Sequence, residues 1–251
     1  MRVLSLGWGI QSFTIAAMAA LGDIDPVIAV HSDTTHERQS TYAFAAKWTP
    51  WLQERGVNVI TVVPEYAEPV NRFGGVMLPA FTQSDKSAGM LKRQCTDDWK
   101  RKPMRQWLQA HRESATVELL MGISLDEVQR MRESDVKYIV NAYPLIDKRM
   151  TRAACITWLQ AHGLEVPTKS ACVFCPFQSR HEWRQVKDND TDWQKAVEVD
   201  EYIRSMRLTD SGGELYVHPD MKPLAEVDMR TAEEHGQLSL WENECYGLCG
   251  V

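Results

Sequence analysis

The chain has 251 residues, of which 44% are apolar and 25% are charged, and this suits one sizeable globular domain or one domain with an appended subdomain. Its 28 basic and 34 acidic side chains give a net charge of −6, which provides no general affinity for nucleic acid. No apolar run approaches the length of a membrane span, and the first residues lack a signal-peptide pattern. We therefore expect a cytoplasmic protein, whose six cysteines act as ligands, nucleophiles or core residues rather than as disulfides.

Strand-like and helix-like segments alternate along the first two thirds of the chain. Apolar runs of strand length are separated by segments with apolar residues at helical spacing, which is typical of βαβ units. The sequence therefore predicts an α/β fold, with a parallel sheet of about five strands and helices on both faces. The predicted strands are 2–6, 26–33, 57–63, 116–124 and 137–145, and the predicted helices are 11–21, 36–55, 96–112 and 151–163.

The remaining segments are less regular. Residues 64–95 are rich in Pro, Gly and Ser and are predicted to form a long irregular excursion. After residue 165, helical patches mix with turns, and most of the cysteines lie there. We therefore place an α/β domain at 1–165 and a cysteine-bearing C-terminal extension at 166–251, packed on the same domain.

The stretch SLGWGIQS joins the first strand to the first helix. Gly7 and Gly9 allow a tight turn and a close approach of the backbone to a ligand. Ser12 and the first amides of the helix face this loop with the positive end of the helix dipole. The loop is therefore a candidate cradle for a phosphate or sulfate; the alternative is a strand–helix turn without a ligand. Polar loops at HSDTTHE and GISLDE lie at strand ends on the same edge, where ligands bind to such sheets.

The cysteines form a second group of candidate functional residues. Cys172 and Cys175 have the spacing at which two thiolates bind one iron or zinc centre, although a redox dithiol and two buried thiols remain alternatives. Cys95 precedes a predicted helix start with three cations at 100–102.

The order of these motifs carries a resemblance. GWGIQS, HSDTTHERQSTYAF, GISLDEVQRMR and YPLID resemble successive motifs of the PP-loop superfamily of adenine-nucleotide α-hydrolases, in the branch of phosphoadenosine phosphosulfate (PAPS) reductase-like proteins. The resemblance covers nearly the whole chain. Two positions depart from the pattern: Gln11 stands where ATP-cleaving members often carry Asp, and Trp8 replaces a glycine.

The resemblance implies a set of nucleotide-binding residues and two cationic catalytic residues. The nucleotide is ATP or, in the alternative, adenosine phosphosulfate (APS) or PAPS, with Asp33 and Glu37 available to orient ribose or Mg²⁺. Lys100 and Arg101 are implied to act on the phosphates. The nucleotide-binding residues are Ser5, Gly7, Gly9, Gln11, Ser12, Asp33, Thr34, Gly122, Glu127 and Arg130.

The resemblance also implies roles for the six cysteines. Relatives of the APS reductase type hold a [4Fe–4S] cluster, for which the ligands here would be Cys95, Cys155, Cys172 and Cys175. Cys155 is the uncertain member, because a core cysteine on an apolar helix face explains it equally well. The tail ENECYGLCGV resembles the reductase tail, so Cys245 and Cys249 are candidate catalytic thiols that carry and resolve sulfur; incidental thiols are the alternative.

The function implied is an iron–sulfur, ATP pyrophosphatase-type sulfurtransferase. It would adenylate an acceptor and then thiolate it, with nucleic acid as the acceptor, as in tRNA thiolation or DNA phosphorothioation, and a cysteine desulfurase as the sulfur donor. The alternative enzyme is a PAPS or APS reductase that releases sulfite. A third hypothesis is a non-catalytic nucleotide-binding protein with a structural metal.

Overall fold

The computed structural model describes residues 1–83, 88–206, 213–230 and Glu234. The chain divides into two compact units. Unit 1 comprises Met1–Glu65 and Asp98–Ser170, and unit 2 comprises Tyr66–Asp97 and Ala171–Val251. The segment 66–97, which the sequence predicts to lie in the first domain, thus groups with the C-terminal part of the chain.

The elements of the described residues follow the predicted alternation. The strands are β1 Arg2–Ser5, β2 Ile28–Ser32, β3 Asn58–Val62, β4 Phe81–Gln83, β5 Ala88–Met90, β6 Val117–Leu120, β7 Ile139–Ala142 and β8 Glu214–Tyr216. The helices are α1 Ile10–Leu21, α2 Gln39–Gln53, α3 Lys102–His111, α4 Pro144–Asp147, α5 Arg152–Ala161, α6 Arg180–Lys187 and α7 Asp190–Ser205. A π-helix at Thr96–Arg101 and 3-10 turns at Leu125–Arg130 and Leu224–Glu226 complete them.

Unit 1 contains a five-stranded parallel sheet in the order β3–β2–β1–β6–β7. Its two faces bury different helices. On β1, Leu4 belongs to a core cluster with residues of α1, α2 and α5, whereas its neighbour Val3 belongs to a cluster with Met104 and Leu108 of α3. Adjacent strand residues point to opposite faces, so this alternation places helices on both sides. The predicted α/β fold, with five parallel strands and helices on both faces, is confirmed.

Two predicted helices begin later than the sequence suggested. The helix predicted at 36–55 begins at Gln39, since Thr35 has a positive φ of 62° and Arg38 is still extended. The helix predicted at 96–112 is a π-helix up to Arg101, after which α3 begins with Pro103 in its first turn. Proline has no amide hydrogen to donate, so the first turn of a new helix suits it.

Unit 2 holds a three-stranded antiparallel sheet in the order β5–β4–β8, within which β4 and β5 lie in the segment predicted to be irregular. A capping box begins α6: the Ser179 hydroxyl accepts from the amide of Glu182, whose carboxylate accepts from the amide of Ser179. The buried carboxylate of Asp200 on α7 accepts from the amides of Val217 and Leu224, and these bonds fix the chain after β8 to the helix.

Candidate functional site

The loop between β1 and α1 lies at the carboxyl edge of the parallel sheet in unit 1. β1 is the central strand; the chain crosses to β2 on one side and β6 lies on the other. The strand order therefore reverses at β1, and open α/β sheets bind ligands in the crevice at such a reversal. Ser5 is the last residue of β1, and α1 begins at Ile10. The loop predicted as an anion cradle therefore occupies the expected position.

Hydrogen bonds from Ser12 hold the loop in shape. The Ser12 hydroxyl accepts from the amide of Gly7 at 3.2 Å and donates to the carbonyl of Gly9 at 3.2 Å. Gly9 is the N-cap of α1 and supplies no side chain, and a Cβ added there would meet no atom within 4 Å. The first amides of the helix have no acceptor within the helix, so this open face carries donors and the positive end of the dipole.

The unusual backbone conformation in this loop falls on Trp8 rather than on a glycine. Trp8 has a φ of 57°, whereas Gly9 has a φ of −88°, which any residue adopts. The sequence predicts the tight turn at Gly7 and Gly9, but the left-handed residue in the structure is Trp8. Gly9 leaves open space beside the backbone, since a Cβ there would meet no atom within 4 Å.

The loop after β6 packs directly against the start of α1. A Cβ on Gly122 would lie 2.9 Å from the amide nitrogen of Ser12 and 3.1 Å from its Cα. Real Cβ atoms do not approach backbone so closely, so only glycine fits without a shift. Gly122 is therefore a packing residue that lets two predicted motifs meet.

A hydrogen-bonded chain links the first helix turn to the 3-10 turn after β6. The Gln11 amide donates to the Glu127 carboxylate at 3.2 Å and to the Ser124 hydroxyl at 3.4 Å. The other Glu127 oxygen accepts from Arg130 at 2.7 Å, in an ion pair whose side chains are 22% and 17% exposed. Three predicted site residues thus meet, although Gln11 and Glu127 are 116 positions apart in the chain.

The loop after β2 forms a second polar cluster at the same edge. The Glu37 carboxylate accepts from the Lys100 ammonium at 3.2 Å and from the Ser170 hydroxyl at 3.1 Å. The Glu37 side chain is 1% exposed and that of Lys100 41%. The Ser32 hydroxyl donates to the Lys100 carbonyl at 3.0 Å, which fixes the π-helix to the end of β2. Lys100 is therefore held at the sheet edge.

Asp33 and Thr34 have hydrogen-bond partners within the loop and on α2. One Asp33 oxygen accepts from the amide of Thr35 at 2.8 Å and from the Tyr42 hydroxyl at 2.9 Å. Burial and the bond to Asp33 raise the pKa of Tyr42 above its usual range. Thr34 is fully buried, and its hydroxyl accepts from the amide of His36 at 3.4 Å. Thr34 therefore shapes the loop and is not exposed to a ligand.

The cations that follow Lys100 have other partners. Arg101 donates to both oxygens of Asp135, at 3.1 and 3.2 Å, in an exposed ion pair. Lys102 pairs with Asp98 on the π-helix. The structure thus separates the two predicted catalytic cations, because Lys100 contacts Glu37 whereas Arg101 contacts a surface aspartate.

The predicted metal ligands fall into different units. Cys95, Cys172 and Cys175 belong to unit 2 and are partly exposed. The amide of Cys175 donates to the carbonyl of Cys172 at 3.0 Å, which is the tight turn expected of this spacing. In the described part of the chain, no three His, Cys, Asp or Glu side chains form a group that could hold a metal. The described residues thus supply a two-cysteine turn and not a complete cluster site.

Cys155 lies in the core of unit 1. It is fully buried on α5 among the residues that pack against α1, and burial raises the pKa of its thiol to about 11. Its position among apolar core side chains also explains this cysteine without a metal. The structure therefore gives no support to Cys155 as a cluster ligand. The tail thiols Cys245 and Cys249 lie outside the described residues.

Several contacts at the site had no signal in the sequence. Ser124, Ser170 and Tyr42 each complete a hydrogen bond to a predicted residue, yet isolated Ser and Tyr residues are too common to single out.

No helix in the described ranges is long and apolar enough to cross a membrane.

Comparisons with known proteins add little beyond the fold. No protein-family model matches the chain, and no curated protein matches it. Among solved structures, the chain is similar to a crystal structure of PAPS reductase from Candida auris in its phosphate complex. The sequence identity is 13% and the TM-score is 0.47, over 66% of this chain and 74% of that chain. A likeness of this extent carries no argument about substrate or activity.

Proposed function

We propose that unit 1 binds an adenine nucleotide, with its phosphates against the β1–α1 loop. The observation that carries the proposal is the convergence at the reversal of strand order. There the open face of Gly9 and the donors at the start of α1 lie beside the hydrogen-bonded side chains of Gln11, Glu127 and Arg130. Backbone donors and a helix N-terminus favour a phosphate, and Lys100, paired with Glu37, lies at the same edge of the sheet.

The reaction that we propose is the activation of an acceptor for sulfur transfer. An acceptor oxygen attacks the α-phosphorus of ATP, and pyrophosphate leaves with the bonding electron pair. A sulfur nucleophile then displaces AMP from the adenylated acceptor. In the first step, the loop amides and Ser12 would stabilise the charge that develops on the phosphates. Nucleic acid is the acceptor class that we favour, with a cysteine desulfurase as the sulfur donor. Both rest on the resemblance of the motifs, as do the predicted Mg²⁺ and [4Fe–4S] cluster.

A specific contact favours a second candidate, a PAPS or APS reductase. Gln11 donates its amide to Glu127, so this position contributes a neutral donor. An aspartate there, as in many ATP-cleaving relatives, would place a second carboxylate against Glu127. A reductase that acts on a sulfonucleotide releases no pyrophosphate. It therefore needs no carboxylate at this position to hold a metal for that step. In this candidate, the Cys245 thiolate attacks the sulfur, and the nucleotide leaves with the electron pair of the S–O bond. A thiol reductant then releases sulfite.

The two candidates differ in their products. The experiment is to purify the full chain anaerobically and incubate it separately with ATP, APS and PAPS, with and without a thiol reductant. The sulfur-transfer proposal expects ATP binding, AMP and pyrophosphate release in the presence of an acceptor, and no sulfite. Sulfite release that is abolished by Cys245→Ser would make the reductase the answer. Tight nucleotide binding without any product would favour the non-catalytic hypothesis.

A further inference from the structure

The β1–α1 loop contains a large aromatic residue in a disfavoured backbone conformation. Trp8 has a φ of 57° and is 2% exposed. The left-handed region favours glycine, and a bulky residue adopts it only where its surroundings enforce it. The rings of Phe13, His31 and Phe44 surround the indole, with centroids 6.3–6.4 Å from it. The conformation of the loop is therefore held by side chains outside it.

One of these side chains also holds the loop backbone. His31 on β2 is 6% exposed, and its Nδ1 lies 2.9 Å from the carbonyl oxygen of Leu6. A carbonyl only accepts, so Nδ1 carries the hydrogen. Burial lowers the pKa of His31 below its usual value, and this outweighs the bond to the Leu6 carbonyl and the nearby Glu37 and Asp33 carboxylates, which raise it; Lys100 lowers it further. At neutral pH the imidazole is therefore neutral, with its one proton on Nδ1.

The peptide groups at the start of the loop are held from three directions. The amide of Leu6 donates to the carbonyl of Val30 at 2.9 Å, which continues the sheet by one residue. The carbonyl of Leu6 accepts from His31, and the amide of Gly7 donates to Ser12 at 3.2 Å. Rotating the Leu6–Gly7 peptide would leave a carbonyl and a histidine N–H unpaired in a buried place, which is unfavourable.

We propose that His31 is a positioning residue for the anion cradle. Its Nδ1–H fixes the Leu6–Gly7 peptide, and its ring supports Trp8, so the loop has its binding conformation before a ligand arrives. His31 acts through the loop and contacts no reacting atom in this account. The inference rests on the proposed function only in naming the ligand, since the contacts themselves lie within the protein. Preorganised donors bind more tightly because no free energy is spent on ordering the loop.

The test compares two substitutions at His31 with a matched control. His31→Phe keeps a ring against Trp8 but removes the donor, whereas His31→Asn retains an amide donor near the position of Nδ1. The control is His162→Phe, because His162 makes the same kind of bond, from Nδ1 to the carbonyl of Trp158 at 2.7 Å, at the exposed end of α5. Each protein is titrated with ATP, APS, PAPS and inorganic phosphate by calorimetry. Amide hydrogen exchange of the peptide covering residues 6–12 is measured without ligand.

The expected result is that His31→Phe binds its best ligand roughly tenfold more weakly than the wild type, with faster exchange in residues 6–12. His31→Asn recovers most of the affinity, and His162→Phe changes neither measurement. Unchanged affinity and exchange in folded His31→Phe would overturn the inference. If the wild type binds none of the four ligands, the proposed function fails. The exchange data alone then decide: faster exchange in His31→Phe supports the positioning role, and unchanged exchange refutes it.

Discussion

The two units differ in how far contacts within each unit organise their candidate functional side chains. In unit 1, Glu127 joins Gln11 to Arg130, and Glu37 joins Lys100 to Ser170, all through direct hydrogen bonds. In unit 2, Cys172 and Cys175 share a backbone turn, and both are partly exposed, as is Cys95. The contacts of the predicted nucleotide cradle are thus made within the protein itself. A thiolate site, in contrast, can depend on the metal to bring its ligands together.

The physical chemistry of the two kinds of site explains this contrast. Carboxylates, amides and guanidinium groups satisfy one another, so a polar cluster is stable without a ligand when every member has a partner. Thiolates have the same charge and repel each other, and they approach closely only around a cation. We therefore expect substitutions in unit 2 to act through metal content and those in unit 1 through affinity and stability.

The largest expected effect is on metal content. Cys172→Ser and Cys175→Ser should each abolish the visible absorption and bound iron that we predict for the anaerobically purified wild type, because serine is a poor iron ligand. Absorption spectra and metal analysis measure this directly. A colourless wild type that holds stoichiometric zinc would show that the site is a structural metal centre and remove the main support for the cluster.

The matched control is Cys155→Ala in unit 1. Since Cys155 is buried in the core there, this variant should keep the metal content of the wild type and lose about 1 kcal/mol of unfolding free energy from the small cavity. Loss of iron in folded Cys155→Ala would place this residue among the ligands after all, and the contrast between the units would fail.

The second prediction concerns the open face of the cradle. Gly9→Val should weaken ATP binding by about a hundredfold or more, because the side chain would fill the space in front of the α1 amides. The unfolding free energy should fall by about 1 kcal/mol or less, since a φ of −88° suits valine and no protein atom lies within 4 Å. Calorimetry and urea unfolding measure the two effects.

Gly89→Val on β5 controls for adding the same side chain to a glycine elsewhere. A Cβ there meets only Thr82 Cγ2, at an ordinary 3.9 Å. This variant should bind ATP as the wild type does. Equal affinity in folded Gly9→Val would mean that the phosphates do not lie against this loop.

The sequence predicted the sheet and the motifs but not the contacts between them. Apolar runs predict the parallel strands, and polar residues at the strand ends predict the loops at the sheet edge. Both are local signals. The bond from Gln11 to Glu127 depends on β6 lying beside β1, and no local pattern shows that. β4 pairs with β8 although the two lie about 130 positions apart. Each has only three residues, too few to show an alternation of apolar and polar side chains. Tryptophan rarely adopts a positive φ, so the conformation of Trp8 could not be predicted; tertiary packing overrides the local preference.

The third prediction concerns the ion pair between the buried Glu37 and the half-exposed Lys100 in unit 1. Glu37→Gln keeps an acceptor for Ser170 but removes the charge that pairs with Lys100, so the unfolding free energy should fall by about 1–2 kcal/mol. The half-exposed Lys100 keeps the cost below that of a fully buried pair, since water can solvate it. A double-mutant cycle with Lys100→Met should give a coupling of about 1 kcal/mol.

The exposed pair of Arg101 with Asp135 is the comparison for this cycle. Both side chains are about half exposed or more, so Arg101→Met and Asp135→Asn should couple by less than about 0.5 kcal/mol. Equal coupling in the two cycles would show that burial of Glu37 adds nothing to its contact with Lys100.

The smallest expected effect is on Tyr42, which holds Asp33 in the β2 loop. Burial and then the bond to Asp33 raise the pKa of Tyr42 above the value near 10 of an unfolded chain. The unfolded state therefore loses this proton first as the pH rises. The stability that the bond contributes is fully present below about pH 10 and is lost above it. Tyr42→Phe should cost about 1 kcal/mol at pH 7 and show a shallower decline in stability above pH 10.

Urea unfolding at pH 7 and between about pH 9.5 and 11 measures both parts of this prediction, with Tyr202→Phe on α7 as the control. Tyr202 is 46% exposed, so its substitution should change stability by less than about 0.5 kcal/mol at pH 7. If wild type and Tyr42→Phe lose stability in parallel above pH 10, the proton on Tyr42 does not hold Asp33. Asp33 would then keep the amide of Thr35 as its partner, and the carboxylates that join separate segments at this edge would be Glu127 and Glu37.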